Sequence, residues 1–156
     1  MARRALKSKA IIHVESGARY AEHVSIRQLT KAARAALDQQ RVADRVELTI
    51  VITGNAQLRK LNRQFRHIDA PTDVLSFNAD DGTAYLGDIV ISYPKAKAQA
   101  QAGGHPVEAE LQLLVVHGVL HLLGHDHYTR AEKAKMWAAQ SAVLQSIGAA
   151  ITEPKA

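Results

Sequence analysis

Nine of the thirteen residues from Leu111 to Leu123 are aliphatic, and on a helix they do not fall on a single stripe. Leu111, Leu113, Leu114, Val115, Val116, Val119, Leu120, Leu122 and Leu123 cover almost the whole circumference. A helix of that kind is stable in water only when other elements surround it, so the chain must wrap itself around this segment. Pro106 marks its start. The apolar stretch is far shorter than a bilayer crossing requires, which makes it a central helix of a globular protein.

Two histidines, His117 and His121, interrupt this apolar surface. Four residues apart on a helix, they project from the same face one turn from each other. Such a pair on its own is commonly surface chemistry or packing. Inside an apolar segment it would be buried, and buried polar groups need partners. A shared metal ion satisfies both at once. Gly124 can adopt a left-handed conformation and turn the chain past the helix end. His127, six residues beyond His121, then becomes the natural third ligand. Three nitrogen ligands leave one position for water, as in catalytic rather than structural zinc sites. Nickel and copper suit nitrogen-rich sites too, and zinc is favoured on availability and geometry. The zinc-protease pattern H-E-x-x-H needs a glutamate directly after its first histidine, and this chain has Gly118 there. Asp126 either orients a ligand or the attacking group, or serves as an ordinary turn residue beside Gly124.

Around this segment the pattern alternates irregularly between strands and helices. Residues 10–15 and Val46–Thr53 read as strands, the second alternating Val46, Leu48 and Ile50 with Glu47 and Thr49. Between them Ser25 and Gln28 form a capping box for a helix carrying Ile26, Leu29, Ala33, Ala36 and Leu37 inward. Asn55 is expected to cap a helix whose inner face is Leu58, Leu61 and Phe65. After a polar connector, His67–Thr72, come two short strands, Val74–Phe77 and Leu86–Ser92. Pro94 opens a helix running to about Gln101 and stopped by Gly103-Gly104. Thr129 and Glu132 form a second capping box, opening a last helix with Met136, Val143, Leu144 and Ile147 inward, and the tail after about residue 151 is expected to fray. The expectation is an α+β protein: one domain over residues 1–156, a small mixed sheet of about four strands covered by about five helices.

Charge is unevenly distributed. Residues 1–66 hold 14 Lys and Arg against 5 Asp and Glu, whereas residues 67–156 hold 6 against 10. This asymmetry points to a polyanion contacting the first half, although solvated helix faces would produce it as well. Arg3, Arg4, Lys7 and Lys9 imitate the basic start of a signal peptide, but the apolar run that follows is only Ala10-Ile11-Ile12 before His13, and a cytoplasmic protein is the expectation. With no cysteine, thiolate zinc sites and disulfides are excluded.

The run H-G-V-L-H-L-L-G-H-D-H, His117 to His127, resembles the H-G-x-L-H-L-x-G-x-D-H signature of the YbeY family of bacterial ribosomal-RNA maturation endoribonucleases. Leu61-Asn62-Arg63-Gln64-Phe65-Arg66 with Asp69, then Pro71-Thr72-Asp73-Val74-Leu75-Ser76-Phe77, and Leu86-Gly87-Asp88-Ile89, resemble further family segments in the family's order. The resemblance covers most of residues 45–148. It implies a zincin-like fold, His117, His121 and His127 as ligands of one zinc ion per chain, and Arg66 as the basic residue of the catalytic cleft. A guanidinium can hold two phosphate oxygens and stabilise charge that grows in a transition state. Asp73 and Asp88 either brace the site or cap turns.

Two positions depart from the family pattern: His125 stands where family members commonly carry Tyr, and Gln140 where a glutamate is expected. The implied activity is metal-dependent cleavage of single-stranded RNA, in 16S ribosomal RNA 3′-end maturation and ribosome quality control. The implied partners are ribosomal RNA and ribosomal subunits, with no membrane. Two other functions remain open from the residues: a non-catalytic ribosome assembly factor with a structural metal, and a zinc peptidase, against which Gly118 and the basic first half argue.

Overall fold

The computed structural model describes residues 9–42, 45–149 and 151. Arg3, Arg4 and Lys7 of the basic N-terminus, and the tail beyond residue 151, lie outside the described residues. Four strands and five helices follow in the order β1 (Ile11–Ser16), α1 (Ile26–Gln39), β2 (Glu47–Thr53), α2 (Asn55–Arg66), β3 (Val74–Asn78), β4 (Tyr85–Ser92), α3 (Tyr93–Gly103), α4 (Val107–Leu122) and α5 (Arg130–Ser146). A short 3-10 turn, Ala21–His23, precedes α1. The sequence pattern does not announce it.

The strands form one mixed sheet in the order β1-β2-β4-β3, with β1/β2 and β2/β4 parallel and β3/β4 antiparallel. This is the α+β arrangement expected. Alternation along β2 divides its side chains between two layers: Leu48, Ile50 and Ile52 are fully buried in the main core, while Val51 faces a smaller cluster of Leu58, Leu75 and Val90. Helix α2 belongs to that second layer. Its Phe65 does not reach the core as the helical stripe suggests. It stays 57% exposed and packs edge-on against Phe77, with ring centroids 5.1 Å apart.

Helix α4 is enclosed by α1, α3, α5, β3 and β4, which explains its apolar circumference. Every residue from Ala109 to Val116 is buried. Each fully buried Leu or Val contributes about 1.5–3 kcal/mol relative to exposure. Where α4 crosses β4, Gly118 permits close approach: a Cβ there would lie 2.6 Å from Ile89 Cγ2. The other required glycine is Gly87, at a shift in the β2/β4 register with φ +144°, where an added Cβ would collide with the Phe77 carbonyl oxygen.

Caps terminate most helices as the sequence suggests. Thr129 and Glu132 form a complete capping box, and Ser25 Oγ accepts from the Gln28 amide at 3.2 Å. The Gln28 side chain instead accepts from Gln112 on α4. Asn55 is not the cap of α2. Gly54 occupies that position, and Asn55 Oδ1 accepts a 2.6 Å hydrogen bond from Ser92 Oγ, which ties α2 to the start of α3. Ser92 Oγ in turn accepts from the Lys95 amide and caps α3. No helix among the described residues is long and apolar enough to cross a membrane.

Candidate metal centre

The last turns of α4 carry His117 and His121 toward the β3 edge of the sheet. Two hydrogen bonds pin this end of the helix to β3: Ser76 Oγ donates to the Gly118 carbonyl at 3.4 Å and Asn78 Nδ2 to that of Leu122 at 3.2 Å. Gly124, at φ +97°, then reverses the chain. The reversal is fastened by the His125 amide, which donates to the Leu120 carbonyl, and by the Asp126 carboxylate, which accepts from the His127 amide at 2.8 Å. His127 is thereby folded back onto the pair. The ring centroids of His117, His121 and His127 lie 4.6, 5.2 and 5.8 Å apart, and one nitrogen from each falls within 4.8 Å of the others.

The donor set fits a small divalent ion. His117 Nε2 and His121 Nε2 face each other at 3.1 Å. Two nitrogens held about 2.05 Å from a tetrahedral ion would be roughly 3.3 Å apart. Helix α5 returns over the pair and supplies Gln140, only 1% exposed, whose Oε1 lies 3.0 Å from His117 Nδ1. An amide oxygen only accepts, so Nδ1 carries the proton and Nε2 keeps its lone pair on the side of the other histidines. Burial, followed by the neighbouring His121, pushes the His117 pKa down to about 4. Burial followed by His127 also lowers that of His121, against a smaller opposing effect of Asp126. Both imidazoles are therefore neutral at pH 7, the state a metal requires.

The histidines line a cleft of about 470 Å³ together with Arg66, at the C-terminal end of α2, and Thr72 to Ser76 of the following connector and strand. Arg66 is exposed and enters no hydrogen bond or ion pair among the described residues, unlike Arg59, which is clamped by Asp69 through two hydrogen bonds. Asp73 also lines the cleft. Its carboxylate accepts from the Val74 amide at 2.7 Å and from Gln99 at 3.3 Å, bracing β3 against α3. Asp88 instead accepts from the Tyr85 hydroxyl and lines no part of the cleft. Asp126 lines the cleft while also holding the turn. His125 points away from the cluster and donates to Gln40 Oε1 at 2.8 Å, so it supplies no fourth ligand.

In the sequence Gln140 stands out as a departure from a family pattern. A second signal was present: it lies four residues after Met136 and three or four before Val143 and Leu144, a polar side chain on the apolar face of α5. Tyr128, at the cleft mouth, carried no comparable mark.

The family model for endoribonuclease YbeY matches residues 12–148, well beyond the segments that carry the resemblance. This chain belongs to the YbeY family. Endoribonuclease YbeY of Roseiflexus sp. (strain RS-1) is 45% identical over 140 residues, covering 83% of this chain and 88% of that protein. Endoribonuclease YbeY of Chloroflexus aggregans is 47% identical over 130 residues, covering 76% and 84%. The solution structure of TM1509 from Thermotoga maritima shares the fold at a TM-score of 0.63 and 24% identity, covering 88% of this chain and 89% of that one. Within the YbeY family, this chain sets a glutamine behind His117.

Proposed function

We propose that this YbeY-family endoribonuclease cuts single-stranded RNA at a zinc centre held by His117, His121 and His127, with Arg66, which lines the same cleft, as the catalytic residue. The observation that carries this reading is the convergence of three ring nitrogens on a cleft that is also lined by an uncommitted guanidinium. A zincin-like arrangement and a single hydrolase domain over residues 1–156 accompany it. The substrate is ribosomal RNA in 16S 3′-end maturation and ribosome quality control, and the partners are ribosomal subunits.

Each residue of the cleft has a defined task. The three imidazoles place neutral nitrogens around one point, and Gln140 fixes the orientation of the His117 ring. A bound zinc ion supplies Lewis acidity toward a phosphate oxygen and lowers the pKa of water. Arg66 grips the phosphate and stabilises the negative charge that builds on its oxygens. Asp73 keeps the β3 wall in register with α3. A peptidase of the H-E-x-x-H kind would need a carboxylate at position 118, and Ile89 fills the space where that side chain would begin.

The test is cleavage of end-labelled single-stranded RNA by zinc-loaded protein beside an identically purified His121→Ala variant. Cutting that disappears in the variant establishes a metal-dependent ribonuclease. Equal cutting, or none by either protein, overturns the catalytic reading in favour of a non-catalytic ribosome factor.

A further inference from the structure

Tyr128 is 87% exposed, more than any other large apolar or aromatic residue among the described residues. It stands at the mouth of the candidate cleft, directly after His127, with its ring centroid 6.2 Å from that imidazole. Leaving an aromatic side chain in water forfeits its burial, and the chain does so beside a polar cleft. The segment bearing it is anchored on both sides: Asp126 holds the His127 amide, and Thr129 begins α5 within a complete capping box. The ring is thus presented on a fixed backbone.

The lining of the cleft determines what such a ring can meet. Arg66, Thr72, Ser76, Asn78 and the histidines offer a mainly polar lining suited to phosphate and ribose, interrupted by the aliphatic Val74, Leu75 and Leu122. The aromatic ring that lines this cleft belongs to Tyr128, so a flat base attached to a phosphate held there finds its stacking partner at the rim. Phe65 is the other exposed aromatic nearby, but it is engaged by Phe77 and does not line the cleft. We infer that Tyr128 is a base-stacking platform, which takes the face of an unpaired RNA base next to the scissile phosphate. The inference rests on the ribonuclease reading and deepens it. Stacking accepts any base because every base has a flat face, and it demands that the base be unpaired. Selection of single strands without strong sequence preference follows from this one side chain. Tyrosine suits the task because its two side-chain torsions leave little entropy to lose on contact.

The experiment measures cleavage of single-stranded RNA by zinc-loaded wild type, Tyr128→Ala, Tyr128→Phe and His121→Ala, each folded by thermal melting. Exposure of Tyr128 makes an unchanged melt the expected control. Removing a stacking ring should raise KM about tenfold while leaving kcat within about threefold, and Tyr128→Phe should restore wild-type KM. A series of substrates with one abasic nucleotide placed at successive positions supplies the independent readout. Wild type should lose affinity at one position beside the cut, and Tyr128→Ala should be indifferent to that same change. Wild-type KM in Tyr128→Ala, or equal sensitivity of both proteins to every abasic position, overturns the stacking role while leaving the ribonuclease intact. Failure of the ribonuclease reading looks different: His121→Ala then cuts as well as wild type, or nothing cuts, and the stacking role falls with it.

Discussion

The Oε1 of Gln140 accepts a 3.0 Å hydrogen bond from Nδ1 of His117, joining the middle of α5 to the histidine-bearing turn of α4. The bond fixes which ring nitrogen is free, and the acceptor is neutral where family members are expected to offer a carboxylate. Gln140→Leu should therefore reduce zinc affinity about 10- to 100-fold, measured by competition with a chromophoric chelator. Gln140→Glu should bind at least as tightly as wild type, because it restores an acceptor and adds negative charge behind the ligand. Trp137, whose ring lies 5.8 Å from His117 and 5.6 Å from His127, supplies an intrinsic fluorescence signal for the same titration.

Acid should destabilise the metal-free protein well before most carboxylates titrate. Folded His117 stays neutral down to about pH 4, while in the unfolded chain it takes up a proton near 6.5. Between those values the unfolded chain binds more protons, so its stabilising contribution is complete above pH 6.5 and is lost as pH falls toward 4. The loss from His117 alone reaches at most about 3 kcal/mol, and the lowered pKa of His121 acts in the same direction. Urea midpoints of chelator-treated protein from pH 7.5 to about pH 4 should fall accordingly. A midpoint that does not change across that window would show that burial does not hold these histidines neutral.

Local pattern carried much of the site, and long-range pairing carried the rest. The all-round apolar surface of α4, the four-residue histidine spacing and Gly124 are properties of contiguous residues, so the approach of His127 to the pair was legible before any fold was known. Strand order was not. That β2 lies between β1 and β4 depends on pairings thirty or more residues apart, which alternation cannot encode. Phe65 shows the same limit. The stripe Leu58, Leu61, Phe65 marks the inner face of α2, but β3 is the last strand of the sheet, so the stripe ends beyond the core and its aromatic remains half in solvent. The Asn55 side chain looked like a cap because nothing local reveals that Ser92 competes for it.

Arg66→Ala should lower the rate of RNA cleavage about 100-fold, the cost typical of losing one group that stabilises transition-state charge. Its melting temperature should stay close to wild type, because the side chain is exposed and has no partner among the described residues to lose. Arg66→Lys should recover only part of the rate, since an ammonium cannot grip two phosphate oxygens side by side. Steady-state kinetics beside a thermal melt separates these outcomes from a folding defect.

Gly118→Ala places a methyl group where Ile89 Cγ2 and Cδ1 already stand, at 2.6 and 3.0 Å from the new carbon. Ile89 is fully buried and cannot swing into solvent, so α4 must shift away from β4. Overpacking of this kind costs about 1–3 kcal/mol, which chemical denaturation will read. The shift also moves His117, the preceding residue, relative to Gln140 and His127. Zinc affinity should therefore fall together with stability, whereas a Leu37→Ala cavity on α1 should lower stability and leave zinc affinity near wild type. Gly118→Glu, which would write the protease sequence into this helix, should fail to fold rather than gain peptidase activity, because a buried carboxylate would add desolvation to the same collision. A folded Gly118→Glu variant that cleaves casein would show that α4 has room the packing against Ile89 denies, and that the site can host peptidase chemistry.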